Sequence, residues 1–301
     1  MMEAAMVVQA FAKVNWSLDI TGVREDGYHL MDMVMQPVSL ADEIELIPSA
    51  DLSISTDGNP PSLADESNLA YRAANLLRTT FQVKEGVHIA LHKRIPMGAG
   101  MGGGSADAAG VLHGLNKLWH LDLPAARLES LGLSLGADVP FCTRGGLTRT
   151  RGIGENLEDH LCRMNYWLLV VQPCHALSTR EIFSAYHLSE SVVRPETEQV
   201  LWALAQGDAS LLSASIGNVL EPVSAKSCPE IPEAVDALRA AGAFAAQMTG
   251  SGSAVFGAFR SRNLAEKARQ KLSAVYRPVY LCHTQADSVR IMDESTKELR
   301  V

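Results

Sequence analysis

The sequence of 301 residues lacks several features that would each point to a particular class of protein. Its 26 lysines and arginines are outnumbered by 34 aspartates and glutamates, so it has no overall positive charge of the kind that marks nucleic-acid-binding domains. No apolar run approaches the ~20 residues that a membrane-spanning helix needs. The apolar stretch 1–11 has no basic segment before it and predicts no secretion signal. We therefore expect a cytoplasmic protein that binds neither nucleic acid nor membrane.

Cysteine is scarce, and its spacing is not that of a metal site. There is no CxxC pair, and no group of histidines lies beside the cysteines, so the sequence predicts neither a zinc site nor a disulfide framework. We expect reduced, mostly buried thiols, as is usual for a cytoplasmic protein. The five cysteines are Cys142, Cys162, Cys174, Cys228 and Cys282.

What the sequence does contain is typical of a globular protein with a large core. Hydrophobic residues make up 47% and charged residues 20%, and the length suggests about two domains. No repeat or long linker divides the chain, and we place the boundary near Arg163, giving domains of residues 1–162 and 163–301. Alternating and helical patterns occur together, which predicts a mixed α and β protein. Strands are predicted at residues 6–20, 42–48, 52–56, 87–91, 166–171, 254–259 and 279–283, and helices at 68–81, after residue 104, and at 125–135, 196–206, 231–241 and 263–275.

The most informative segment is a glycine-rich stretch, residues 96–110, that leads directly into a helical pattern. Glycine permits positive φ angles and lets a ligand approach backbone N–H groups closely. A helix N-terminus adds unpaired donors and a partial positive charge, which together favour phosphate. The segment therefore predicts a cradle for a nucleotide triphosphate, in preference to a flexible loop without a ligand.

Two common nucleotide-binding motifs do not fit this segment. No GK[ST] follows the glycines, which excludes the P-loop pattern. No acidic residue is suitably placed about 20 residues later, so a dinucleotide fingerprint is not convincing either.

The segment 96–110 resembles the ATP-binding signature of the GHMP kinases. Residues 12–18 resemble the N-terminal signature of that family, and residues 248–256 resemble its glycine-rich C-terminal signature. The resemblance implies an α+β fold in two domains. These are a ribosomal-protein-S5-like N-terminal domain and a ferredoxin-like C-terminal domain.

Finer motifs are similar to one branch of the GHMP kinases. They are residues 22–29, 93–98, 135–141 and 152–155. The resemblance implies ATP-dependent phosphorylation of the 2-hydroxyl of a cytidine-diphosphate-linked sugar alcohol, in non-mevalonate isoprenoid precursor biosynthesis. Two alternatives remain: a GHMP kinase of the homoserine or mevalonate type, and a non-catalytic nucleotide-binding module.

Two residues are candidates for the chemistry. Asp138 stands in an apolar frame, where an unpaired carboxylate would be costly, so we expect a buried side chain that either caps a helix or acts as an acid/base group. Lys13 is flanked by apolar residues in the first strand, where it is either exposed on an edge or functional. The resemblance implies that both are catalytic, with the lysine stabilising developing charge and keeping the aspartate ionised.

The resemblance also implies two sets of binding residues. The expected ATP-binding residues are Asn68, Lys93, Pro96, Gly98, Gly100, Met101, Gly102, Gly103, Gly104 and Ser105. The expected residues around the cytidine-linked substrate are Asn15, Tyr28, His29, Ile153, Thr179 and Phe183, with Tyr28 and Phe183 stacking on the base and His29 at its edge.

Magnesium is expected with ATP because it neutralises charge on the phosphates. The sequence shows no strong cluster of metal ligands, and Ser105 is the one candidate. Asp107 adds a negative charge close to the expected triphosphate, where it either caps the helix or assists the metal ion.

Overall fold

The computed structural model describes residues 5–57, 64–188 and 193–292. Helices and strands alternate irregularly along the chain, as a mixed α and β architecture requires. The strands are β1 (Met6–Val23), β2 (His29–Ser49), β3 (Ser53–Thr56), β4 (Gly86–His92), β5 (Leu147–Gly152), β6 (Asn156–His160), β7 (Trp167–Val171), β8 (Gly217–Asn218), β9 (Ala245–Met248), β10 (Val255–Phe259), β11 (Val279–His283) and β12 (Val289–Met292). The helices are α1 (Leu69–Thr80), α2 (Gly103–Leu118), α3 (Ala125–Leu133), α4 (Val139–Arg144), α5 (Thr179–Ala185), α6 (Thr197–Gln206), α7 (Ala209–Ser215), α8 (Glu221–Ser227), α9 (Glu230–Ala240) and α10 (Arg262–Leu272).

The strands form two sheets. The larger one has the order β12-β1-β2-β4-β3, with β8 also paired to β1 and the β5–β6 hairpin attached to β2. The smaller sheet has the order β11-β7-β10-β9, and all three of its pairings are antiparallel. Since β8 and β12 follow residue 163, the second half of the chain contributes strands to the larger sheet.

Helix α2 lies close against the larger sheet because two of its residues have no side chain. A Cβ atom at Gly114 would lie 2.4 Å from Cδ1 of Leu46, and one at Gly110 would lie 2.8 Å from Cδ1 of Ile44. Larger residues here would push the helix away from β2. The close packing fixes the start of α2 relative to β1 and β2, which carry other residues of the candidate site.

The two sheets meet around a fully buried tryptophan. Trp16 on β1 makes edge-on ring contacts with Tyr166 and Phe256 at centroid distances of 5.7 and 5.4 Å. Its indole N–H donates to Oε1 of Gln36 at 2.9 Å, so the buried polar atom is satisfied. The core is therefore continuous from one sheet to the other.

The predicted elements are largely confirmed, and the differences have physical causes. Strand β2 begins thirteen residues before the predicted strand at 42–48, because residues 33–38 are buried on both faces and burial does not alternate over residues 29–38. The short helices α4, α5, α7 and α8 and the strands β5, β6, β8, β9 and β12 were not predicted, since each is too short to carry a clear period. Among the described helices, none is long and apolar enough to cross a membrane.

Candidate active site

A cleft of about 1350 Å³ lies where the glycine-rich segment, the middle of β1 and helix α5 converge. All the residues expected to bind ATP, all those expected around the second substrate, and both candidate catalytic residues line it. The structure thus brings together side chains that are spread from residue 13 to residue 183.

The first glycine loop (residues 98–104) needs its glycines for backbone conformation. Gly100 and Gly102 have φ angles of +73° and +71°, which L side chains rarely adopt. Gly102 is the residue that precedes α2, and it places the N–H groups of the first turn at the floor of the cleft. These unpaired donors and the helix dipole suit an anionic ligand.

A second glycine loop (residues 249–253) packs backbone against backbone on the first. A Cβ atom at Gly100 would lie only 2.1 Å from the carbonyl oxygen of Thr249. The N–H of Ala254 donates to the carbonyl of Ala99 at 3.2 Å. Two residues of the second loop, Gly250 and Ser251, also line the cleft. Sequence reasoning identified this motif but named none of its residues as part of the site.

Lys13 is buried in the middle of the larger sheet, so its interpretation as an exposed edge position is wrong. Its side chain is 4% exposed. The ammonium donates to Oδ1 of Asn15 at 2.7 Å and to the carbonyl of Gly100 at 2.9 Å, and it lies 3.7 Å from Oδ2 of Asp138. A cation is therefore held at the mouth of the first glycine loop.

Asp138 precedes α4, and it differs from the expected buried capping residue. Its side chain is 31% exposed and makes no capping hydrogen bond to the helix, although it occupies the capping position. The carboxylate instead faces the cleft and Lys13. Burial, together with the negative charge of Asp138, raises the pKa of the neighbouring Cys142 thiol above its ordinary value. The capping role predicted as an alternative is wrong, and the carboxylate is free to meet a ligand.

Asn15 joins Lys13 to the second glycine loop. Its Oδ1 accepts from Lys13 Nζ, from the N–H of Gly250 at 3.0 Å and from the hydroxyl of Thr249 at 3.3 Å. The N–H of Asn15 in turn donates to the Thr249 hydroxyl at 3.0 Å. The amide oxygen is thus fully used inside the protein, and only the amide nitrogen, 3.5 Å from Sδ of Met33, is weakly bonded.

Lys93 forms a buried ion cluster with two aspartates. Its ammonium contacts Oδ2 of Asp42 and lies 2.6 Å from Oδ2 of Asp107. Burial opposes the charge of Lys93, but the two carboxylates raise its pKa above the ordinary value. Burial raises the pKa of Asp107 to about 8, with a further contribution from the charge of Asp42 and an opposing one from Lys93. Because Asp107 is buried and pairs with Lys93, it neither caps a helix nor faces solvent. Its Oδ1 has no partner among the described residues.

Asn68 is the N-cap of α1, where its Oδ1 accepts from the N–H of Ala70 at 2.8 Å. This bond satisfies a donor of the first turn of α1. Asn68 thereby borders the cleft on the side of Lys93 and the first glycine loop.

Aromatic side chains surround the other end of the cleft. The rings of His29 and Phe183 lie 5.5 Å apart at 58°, and His29 also contacts Tyr186 at 6.2 Å. Tyr28 is 61% exposed and lines the cleft without a ring contact to another described residue. The hydroxyl of Thr179 lies 2.8 Å from that of Ser251, which ties α5 to the second glycine loop.

Ile153 lines the cleft from the turn between β5 and β6. Its N–H donates to a carboxylate oxygen of Glu155 at 2.6 Å, which holds the turn closed. Glu155 thereby shapes this wall of the cleft, and sequence reasoning quoted its motif without giving it a role.

The expectation that all cysteines are reduced is wrong for one pair. Cys174, in the loop after β7, is joined by a disulfide bond to Cys228, which ends α8. The two residues are 54 positions apart, so spacing could not have indicated the pair. The remaining three cysteines are free thiols, and Cys142 and Cys282 are buried as expected.

Comparisons with known proteins agree with this geometry. The family model described as GHMP kinases N terminal domain matches residues 68–146, and the model described as GHMP kinases C terminal matches residues 200–278. A 4-diphosphocytidyl-2-C-methyl-D-erythritol kinase of Clostridium tetani is 39% identical over 93% of this chain and 100% of its own length. A kinase of the same name from Alkaliphilus metalliredigens is 40% identical over 94% of this chain and 97% of its own length.

Solved structures give the same result. A crystal structure of a 4-(cytidine 5'-diphospho)-2C-methyl-D-erythritol kinase superposes with a TM-score of 0.80 at 35% identity, covering 93% of this chain and 100% of its own. A homoserine kinase from Cytophaga hutchinsonii has a TM-score of 0.77 at 20% identity, covering 97% of this chain and 98% of its own, a likeness of fold alone. The predicted α+β GHMP kinase fold is confirmed, and the chain belongs to the 4-diphosphocytidyl-2-C-methyl-D-erythritol kinases of the GHMP kinase family.

Proposed function

We propose that the chain transfers the γ-phosphoryl group of ATP to the 2-hydroxyl of 4-diphosphocytidyl-2-C-methyl-D-erythritol, a step in non-mevalonate isoprenoid biosynthesis in the cytoplasm. The observation that carries the proposal is the position of Lys13 and Asp138. They lie 3.7 Å apart at the mouth of the first glycine loop, inside one cleft with an aromatic group at its other end.

The donor side of the cleft is built for phosphates. The first glycine loop and the N-terminus of α2 supply backbone N–H groups and the positive end of a helix dipole. Lys93 and Asn68 border the same region. Because these groups are fixed by packing before a ligand arrives, they stabilise the phosphates without further rearrangement of the backbone.

Phosphoryl transfer demands positioning and charge stabilisation more than covalent chemistry. Asp138 presents a partly exposed carboxylate to the cleft, where it accepts the proton of the attacking hydroxyl. Lys13 lies beside the same carboxylate, and its positive charge offsets the charge that develops on the moving phosphoryl group.

The acceptor side would recognise the cytidine end of the substrate. His29 and Phe183 form a tilted pair, and the exposed ring of Tyr28 stands nearby along the cleft. Aromatic faces stack on a base, and a histidine ring can bond to its edge. The wall from Ile153 and the hydroxyl of Thr179 complete this end of the cleft.

The protein oxygen atoms that face the cleft fit a magnesium ion that is bound mainly by the nucleotide. The Ser105 hydroxyl in the first turn of α2 has no partner among the described residues, and the carboxylate of Asp138 faces the cleft. Mg²⁺ is usually held by one or two protein oxygens together with phosphates and waters. Ser105 would therefore be the protein ligand of the metal, which would neutralise charge on the phosphates when bound.

We also propose that the two parts of the chain contribute different residues to the cleft. Residues 1–162 carry the first glycine loop, Lys13 and Asp138, and residues 163–301 form the other part. The later part contributes the second glycine loop and α5 with Thr179 and Phe183. Both parts of the chain therefore contribute residues that line the cleft.

An acceptor panel tests the proposal. ADP release is followed with magnesium and ATP on the cytidine-diphosphate-linked methylerythritol, on methylerythritol without the nucleotide, on mevalonate and on homoserine. We expect rapid turnover of the first compound alone. Comparable turnover of homoserine or mevalonate would replace the acceptor but keep the kinase assignment. Nucleotide binding without turnover of any acceptor would favour a non-catalytic module.

A further inference from the structure

A fully buried aspartate on β2 gathers three donors from three consecutive residues. Oδ1 of Asp42 accepts from the backbone N–H groups of Arg94 and Ile95, the latter at 2.9 Å, and Oδ2 accepts from the Lys93 ammonium. The side chain of Asp42 is 0% exposed. A carboxylate removed from water is tolerated only with such full hydrogen bonding, so its position is strongly determined.

The residues that Asp42 holds connect β4 to the first glycine loop. Two of them also pack against the first residue of α2: a Cβ atom at Gly103 would lie 3.1 Å from Cγ2 of Ile95 and 3.5 Å from Nζ of Lys93. The start of α2 is where a nucleotide's phosphates are expected. Through Lys93, Asp42 fixes a positive charge beside that turn, although Asp42 does not itself line the cleft.

Asp107 contacts the same ammonium but cannot organise the connection. Its Oδ2 lies 2.6 Å from Lys93 Nζ, and no backbone donor of residues 93–95 reaches it. Its Oδ1 has no partner in the described part of the chain. The two carboxylates therefore differ in kind: Asp42 holds backbone and ammonium together, whereas Asp107 holds the ammonium alone.

We propose that Asp42 is a positioning residue for the nucleotide, acting through Lys93, whose ammonium it holds beside the first turn of α2. This rests on the proposed function in one respect, that the cleft takes ATP and ADP at this turn. A residue with only a structural role would affect folding and both substrates alike. A positioning residue affects nucleotide binding, and only while Lys93 is present.

The test is a double-mutant cycle on ADP binding, measured by calorimetry in the presence of magnesium on the full chain. In Asp42→Asn the amide presents either its oxygen to the backbone donors and its NH₂ to the ammonium, or the reverse. In either orientation the amide NH₂ faces another donor, which is the Lys93 ammonium or a backbone N–H group. We therefore expect the ammonium to move. Losing a charge-assisted hydrogen bond of this kind costs about ten- to a hundredfold in affinity. We expect that loss for Asp42→Asn and for Lys93→Met, and no further loss in the double variant.

Steady-state kinetics supply a readout that a structural role would not give. In Asp42→Asn the KM for ATP should rise by about the same ten- to a hundredfold factor, while the KM for the cytidine-linked acceptor and kcat stay within about threefold. The matched control is Glu45→Gln, three residues further along β2, whose carboxylate only approaches His92 at 3.9 Å. It should leave all constants unchanged.

Three outcomes would overturn the inference and leave the proposed function intact. One is an equal loss of ADP affinity from Asp42→Asn in the presence and absence of Lys93. Another is an equal rise in both KM values. If Asp42→Asn does not fold, the double variant with Lys93→Met, which removes both charges together, is compared with Lys93→Met alone, and weaker ADP binding by the double variant would contradict us. Failure of the wild-type protein to bind ADP would instead remove the proposed function, and the inference with it.

Discussion

The Lys13 ammonium donates a hydrogen bond to the carbonyl oxygen of Gly100 at 2.9 Å and so links the buried strand β1 directly to the first glycine loop. The same ammonium lies 3.7 Å from Asp138. One cation thereby touches the expected donor site and the expected acid/base group together. The buried ammonium therefore has polar partners, although the residues on either side of Lys13 in the sequence are apolar.

Replacing Lys13 with alanine should lower kcat far more than it weakens ATP binding. A cation that meets charge developing in the transition state contributes mainly there, and loss of such a group costs about 10²–10³ in kcat. Steady-state kinetics and ADP calorimetry separate the two effects. An unchanged kcat with a raised KM for ATP would show that Lys13 is only a binding residue. Lys226→Ala, on α8 away from the cleft, is the control and should change neither constant.

Asp138→Asn should lower kcat by about 10²–10⁴, because it removes the proton acceptor and keeps the shape of the side chain. Since Asp138 makes no capping hydrogen bond, the thermal stability of the variant should differ little from that of the wild type. Single-turnover kinetics and thermal unfolding followed by circular dichroism measure the two quantities. Activity within threefold of the wild type would rule out an acid/base role.

Phe183→Ala should reduce kcat/KM for the cytidine-linked acceptor by about ten- to a hundredfold, since stacking of an aromatic ring on a base contributes about 1–3 kcal/mol. The KM for ATP should stay unchanged, because the proposed site of that ligand, at the first glycine loop, does not include Phe183. Phe244→Ala, which removes a ring packed on Tyr166 away from the cleft, is the control. A similar loss for both variants would indicate a general effect on folding.

Gly100→Ala should weaken nucleotide binding and lower the free energy of unfolding by more than about 1 kcal/mol. The new Cβ would lie 2.1 Å from the Thr249 carbonyl oxygen, so the two glycine loops would have to separate. Gly27→Ala provides a matched control, because Gly27 also has a positive φ but has open space where the Cβ would be. Equal destabilisation of the two variants would mean that the backbone angle alone, and not the loop contact, accounts for the effect.

The protein should lose stability as the pH falls below about 6.5, in part through His113 on α2. Burial lowers the pKa of His113 below its ordinary value of 6.5, against the smaller opposing effects of its bond to the Thr143 carbonyl and of the Glu129 charge. The unfolded chain therefore binds this proton more readily than the folded one. The contribution is present above pH 6.5 and is lost as the pH drops toward the folded pKa.

Thermal unfolding between about pH 8 and pH 5 measures this dependence. His113→Gln, which keeps a donor for the Thr143 carbonyl, should flatten it, whereas His187→Gln on the surface should not. An unaltered pH profile for His113→Gln would assign the dependence to other groups.

The parts of the site that were predictable are those whose chemistry is local in the sequence. The first glycine loop and α2 follow from the spacing of glycines and of apolar residues within one short window. Asp42 lies 51 residues from Lys93, and the strand that carries it looks like an ordinary half-buried one. Its burial depends on tertiary packing, which no local pattern reports. The same holds for the pair of Cys174 and Cys228, whose separation along the chain carries no signal.

Strand β12 has a consequence for how the protein can be divided. It pairs Val289–Met292 with Val7–Ala10 of β1, so one edge of β1 is covered by the far end of the described chain. A fragment that stops near residue 162 would expose that edge, with its unpaired backbone groups, beside an apolar surface. Two fragments divided at that point should therefore be poorly soluble when each is made alone, and they should regain solubility when they are mixed. In this sense the two halves behave as one cooperative unit, and truncation is a poor way to separate nucleotide binding from acceptor binding.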